Sequence, residues 1–136
     1  MRLVGLLLLI LTALPLSASK VLVHSSVSLD SLTQAQLRSI FTLRQTQWPD
    51  GSPIKVYVLP ETAAQHQKFS REQLHLFPYQ LNLMWDRLSF SGAAARPSQV
   101  ADEQAMLKQL KLTPGSIGYS SYTDKDDRVK ELHIER

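Results

Sequence analysis

The stretch Ile54-Lys55-Val56-Tyr57-Val58-Leu59 decides the fold class. It is nearly continuous in apolar and β-branched residues, as a strand covered on both faces must be. Downstream, Thr62 to Leu74 has the composition of a weakly amphipathic helix. Upstream, Trp48-Pro49-Asp50-Gly51-Ser52-Pro53 is a turn, because proline fixes φ and glycine accepts positive φ, so the chain can reverse before the strand. Further strands are read at Val21-Leu22-Val23, at Ser116-Ile117-Gly118-Tyr119 and at Val129 to Ile134, the last as an edge strand or tail. Helical spacing separates them. Thr33 and Gln36 form a capping box ahead of Leu37, Ile40 and Phe41. Pro78 suits a first helical position before Leu81, Met84, Trp85 and Leu88. Asp102 to Leu112 carries Met106, Leu107 and Leu110 on one face and stops at Thr113-Pro114-Gly115. Strands interleaved with helices predict an α/β fold, with a mainly parallel sheet flanked by helices.

The chain has 136 residues and no cysteine, which excludes a disulfide framework, a thiolate metal site, a cysteine nucleophile and a lipid-anchored N-terminal cysteine. Its first nineteen residues read as an export signal. Met1-Arg2 is a short basic start, Leu3 to Leu16 is almost unbroken hydrocarbon, and Ser17-Ala18-Ser19 offers small side chains to a signal peptidase, with cleavage expected after Ser19. The apolar run is shorter than the ~20 residues a bilayer span needs, so an integral membrane protein is not expected. The expected organisation is a signal over residues 1–19 and one domain over residues 20–136. Removing nineteen residues leaves 117, and the loss of Arg2 lowers the formal charge from +3 to +2. With so little excess charge and no basic run, nucleic acid is not an expected partner. A periplasmic location fits an unlipidated exported domain.

Enzyme signatures are missing. Gly115-Ser116-Ile117-Gly118 lacks the spacing of a G-x-S-x-G elbow, and the adjacent His24, Ser25 and Ser26 point alternately to opposite strand faces. His24, His66, His75 and His133 show no helical zinc spacing. Asp124, Asp126 and Asp127 lack the glycine and the bidentate glutamate of a calcium loop, and read as a solvated turn. No catalytic residue, metal or cofactor is expected. Trp48 and Trp85 are expected in the core.

A resemblance adds to this reading. Leu32-Thr33 with Leu37 and Ile40-Phe41, then Trp48-Pro49-Asp50-Gly51, a strand, a helix ending in Phe69, Trp85, Phe90-Ser91-Gly92, Pro97, and Pro114-Gly115-Ser116-Ile117-Gly118-Tyr119 follow one another in an order similar to that of the phosphate-type periplasmic substrate-binding proteins, over roughly Lys20 to Ser121. What the resemblance implies is a periplasmic-binding-protein-like single lobe, about half of a family member, and a non-enzymatic, solute-binding ancestry within phosphate ABC transport. The family holds an oxyanion with a Ser-Gly-Thr-Arg segment at a helix N-terminus, where backbone donors and the dipole favour negative charge. Aligned on Phe69, those positions here are Ala63, Ala64, Gln65 and His66, and Glu61 stands at the helix start, where its carboxylate repels an anion.

Two functions follow. The first is binding of a small, phosphate-like anion by Ser25, Ser26, Thr62 and His66, with Arg44 or Arg71 as cationic support. One lobe cannot clamp a ligand, so a homodimer or a membrane component would complete the cleft. The alternative is a ligand-free interaction module for a periplasmic or membrane partner, with Leu74, Leu76, Phe77 and Tyr79 as its candidate exposed apolar surface.

Overall fold

The computed structural model describes residues 18–136. All but the last two residues of the expected export signal lie outside the described residues. Ten elements follow in chain order: β1 (Lys20–His24), β2 (Ser31–Thr33), α1 (Gln34–Phe41), β3 (Lys55–Val58), α2 (Ala64–Gln73), α3 (Pro78–Phe90), β4 (Ser98–Gln99), α4 (Glu103–Leu112), β5 (Ser116–Ser120) and β6 (Val129–Glu135). The strands form one sheet in the order β2-β6-β1-β5-β3-β4. β2 pairs parallel with β6, and β3 pairs parallel with both β5 and β4. β1 is antiparallel to its two neighbours, β5 and β6. Five strands therefore point one way and β1 alone runs against them, which makes a mainly parallel sheet with one reversed strand at its centre.

The expected local signals act as capping and turn chemistry dictates. Thr33 Oγ1 accepts the Gln36 N–H at 3.1 Å and Gln36 Oε1 accepts the Thr33 N–H at 2.8 Å, satisfying two backbone donors at the start of α1. Asp102 accepts the Ala105 N–H at 2.8 Å to open α4. In the turn before β3, Gly51 has φ +87°, and Asp50 Oδ1 accepts from the Ser52 N–H at 2.9 Å. β6 departs from the edge position expected of it. It lies between β2 and β1, because the three-residue β2 pairs Leu32 with Ile134 along its outer side. No helix among the described residues is long and apolar enough to cross a membrane.

Adjacent residues of β5 show how the layers divide. A strand sends successive side chains to opposite faces. At Gly118 the absent side chain makes room for α4: a Cβ there would stand 2.5 Å from Met106 Sδ and 3.4 Å from Leu110. At Tyr119 the ring faces the other layer, stacking on Phe69 of α2 with centroids 3.9 Å apart and lying 6.0 Å from Phe41 of α1. Phe41 and Phe69 meet edge to face at 4.8 Å. α4 thus covers one face and α1 with α2 the other, and β5 is buried along its length. Ser19, just ahead of β1, is buried as well. Its hydroxyl donates to Gln65 Oε1 at 3.1 Å and its carbonyl accepts from Gln73 Nε2 at 3.2 Å, tying the start of the sheet to α2.

Candidate ligand cleft

Because β3 and β4 run side by side in the same direction, their C-terminal ends open together onto the first turn of α2 and the middle of α3. A cleft of about 380 Å³ lies there, walled by Glu61, His66, Asn82, Trp85, Asp86 and Arg96, with Val58, Leu59, Pro97 and Gln99 completing it. This volume suits a small solute.

His66 is the most constrained group in the wall. It is only 1% exposed. Its Nδ1 meets the Tyr119 hydroxyl in a short hydrogen bond, and the same hydroxyl oxygen accepts the Leu59 N–H at 2.9 Å. Burial drives the Tyr119 pKa well above that of a free tyrosine, so the phenol keeps its proton. Burial also lowers the His66 pKa below 6.5, partly opposed by the negative charge of Glu61. A neutral imidazole accepts at one nitrogen and donates at the other. The buried phenol proton has no acceptor among the described residues other than His66 Nδ1, so it goes there. The network thereby assigns the imidazole proton to Nε2, which makes no hydrogen bond among the described residues and belongs to the cleft wall.

Arg96 closes the far side. It forms a short ion pair with Asp86, its Nη2 donates to Asn82 Oδ1 at 3.0 Å, and its guanidinium carbon lies 5.5 Å from the Trp85 ring centroid. Trp85 is fixed in turn by donating Nε1 to the Phe41 carbonyl at 2.8 Å. Among the lining residues one guanidinium thus faces two carboxylates, and Asp86 already neutralises it. Glu61 is left as the charge without a counterion in the wall.

The residues expected to bind together do not all meet here. His66 lines the cleft. Thr62 lies exposed in the turn ahead of α2 and is not part of the wall. Ser25 and Ser26 stand at the opposite end of the sheet, because β1 is reversed. The Ser25 N–H donates to the Arg128 carbonyl at 2.8 Å, and Ser26 Oγ accepts the Gly115 N–H at 2.9 Å. Gly115 precedes Tyr119 by four residues, about 13 Å along a strand. Arg71 borders a separate surface groove shared with Glu61, Phe77 and Tyr79, and Arg44 lies beside Arg38 and Thr42 near Met84. Neither reaches the cleft wall. Of the apolar residues expected on the surface, Phe77 and Tyr79 are exposed at 53% and 59%, with rings stacked 5.9 Å apart. Leu74 and Leu76 are instead buried, since the chain folds back onto the core between α2 and α3. Both tryptophans are buried, and Trp85 also forms part of the cleft wall.

Asn82, Asp86 and Arg96 were not singled out by sequence. Asn82 and Asp86, four residues apart, share one face of α3. That spacing was the available signal. Among the described residues no group of three or more His, Asp or Glu side chains is placed to hold a metal ion.

No protein-family model matches the chain. Solved structures do resemble it. A Clostridium perfringens protein assigned as a phosphate ABC transporter substrate-binding protein, solved with bound phosphate, aligns over 86% of this chain with TM-score 0.69 and 17% identity. An ABC-type phosphate transport receptor from Vibrio cholerae aligns over 86% with TM-score 0.63 and 16% identity. PstS from Borrelia burgdorferi aligns over 86% with TM-score 0.63 and 14% identity. The chain spans 44%, 46% and 47% of those proteins. Its fold is that of a single lobe of a periplasmic-binding-protein-like structure, a sheet with helices on both faces.

Proposed function

We propose that the chain is an exported, non-enzymatic solute-binding module whose ligand site is the cleft at the ends of β3 and β4. One observation carries this reading: a buried imidazole, locked at Nδ1 by Tyr119, belongs to the wall of a 380 Å³ cavity with its other nitrogen unpartnered. Holding a donor in place before the ligand arrives reduces the entropy lost on binding. The likeness to phosphate-binding proteins supports the solute-binding role through the fold, and the proposed location is the periplasm.

A phosphate-like anion is the ligand the resemblance implies. In this cleft it would meet one cation, Arg96, already paired with Asp86, and it would lie near Glu61. Binding it would require Asp86 to yield the guanidinium. A single lobe holds a ligand from one side, where it competes with water, so a facing surface would complete the site. The exposed, stacked Phe77 and Tyr79 favour the second reading, an interaction module for an envelope protein.

Calorimetric titration of the full mature chain with a panel of small solutes, paired with His66→Ala, tests the first reading. Saturable heat with one solute, lost in the variant, supports a solute site. No heat with any solute, together with specific capture of an envelope protein that Tyr79→Ala abolishes, favours the second.

A further inference from the structure

The charge balance of the cleft narrows what it can take. Three features bear on this. Glu61 and His66 belong to the same wall, close enough that the Glu61 charge acts on the imidazole. The single guanidinium is spent on Asp86, Asn82 and the face of Trp85. The Tyr119 network commits His66 Nδ1 as an acceptor, which leaves Nε2–H as a donor for an incoming lone pair. The wall therefore offers a fixed neutral donor beside a carboxylate whose charge nothing in the wall offsets. An anion there is repelled by the exposed Glu61 carboxylate and a cation is drawn to it, an effect that water and Arg71 of the adjoining groove reduce.

We propose that the cleft selects a small cationic hydroxy-amine, its ammonium on the Glu61 carboxylate and a hydroxyl oxygen accepting from His66 Nε2–H. This rests on the cleft being a solute site. The hydroxyl of such a solute has its own proton to give, and Gln99 in the same wall is the side chain that would accept it, since Asn82 Oδ1 is taken by Arg96. Trp85 takes no direct part, because its ring face carries Arg96. The Asp86–Arg96 pair then acts as a closed side wall, contributing little net field to the ligand.

The test is a titration of the 15N-labelled mature chain followed through the ring nitrogens of His66, with ethanolamine as one probe and inorganic phosphate as the other, at constant ionic strength and near-neutral pH. In the free protein, Nε2 is expected as the protonated nitrogen. Ethanolamine is expected to shift the Nε2 resonance saturably while phosphate leaves it in place. Glu61→Gln, a change at an exposed turn residue outside the core, is expected to weaken the ethanolamine response at least tenfold, with the backbone amide spectrum away from the cleft showing that the fold is kept. A saturable shift with phosphate that equals or exceeds the ethanolamine response overturns the charge preference and leaves the solute site standing. An ethanolamine response unchanged in Glu61→Gln likewise overturns the assignment to Glu61. No saturable response to either probe overturns this inference, while the solute site itself is decided by the calorimetric panel.

Discussion

At the β5 N-terminal end of the sheet, the polar groups of Ser26, Trp48 and Gly115 partner one another. Ser26 Oγ accepts the Gly115 N–H, Trp48 Nε1 donates to the Gly115 carbonyl at 2.9 Å, and Gly115 itself takes φ +75° beneath the Pro53 carbonyl. At the β5 C-terminal end, Tyr119, Leu59 and His66 form a chain of the same length that stops one bond short, with the imidazole Nε2 unpartnered in a cavity wall. Both ends use a hydroxyl to receive a backbone N–H. The first is closed and holds the fold; the second has a donor to spare. Residue type alone does not mark a binding group. What separates the two ends is whether every polar atom of the buried side chain finds its partner inside the protein.

Four changes would break or sharpen that contrast. The largest effect is expected from Gly115→Ala, which forces a side chain into the left-handed region and sets its Cβ 2.7 Å from the Pro53 oxygen. A loss of about 3 kcal/mol in urea unfolding is expected. The His66 resonances of the folded fraction should stay where they are, since the damage lies at the other end. Tyr119→Phe comes next. It leaves the Leu59 N–H without a partner and frees His66 Nδ1, so about 2 kcal/mol of stability is expected to go. Here the ring-nitrogen spectrum should change, with the imidazole proton no longer confined to Nε2. Ser26→Ala removes only the acceptor for Gly115, at a cost of about 1 kcal/mol, and should leave any solute response of the cleft untouched. A solute response lost in Ser26→Ala would show that the two ends act together after all.

The smallest effect is a slope with pH. Burial places the folded-state pKa of His66 below its ordinary 6.5, so between that lowered value and 6.5 the unfolded chain binds more protons than the folded one. Stability therefore rises with pH through that window and falls as pH drops through it. In His66→Gln this contribution should vanish, and chemical denaturation of both proteins across that pH range measures the difference.

Much of the fold was legible in the residues because local chemistry sets it. The Thr33–Gln36 box, Pro78 at the start of α3, Asp102 at the start of α4 and the glycine turn at Gly51 all act within a few residues of themselves. Strand direction was not legible. Apolar patterning shows that β1 is buried on both faces and nothing about which way it runs, and that missing bit of information put Ser25 and Ser26 beside Thr62. β2 and β4, three and two residues long, carry no periodicity to detect, and without β2 the β6 strand looked like an edge. His66 emerged from the resemblance, as the residue standing where the family has arginine. Its partner Tyr119 lies 53 residues away, a separation no local pattern spans.

The two tryptophans give this molecule an optical property that follows from where they sit. Each indole donates its N–H to a backbone carbonyl, Trp48 to Gly115 and Trp85 to Phe41, and each is nearly sealed from water. One fluorophore therefore reports on the closed end of the sheet and the other, beneath the Arg96 guanidinium, on the open end. With Trp48 replaced by phenylalanine, Trp85 is the one indole left in the chain, and its emission reports on the cleft wall without any label being attached.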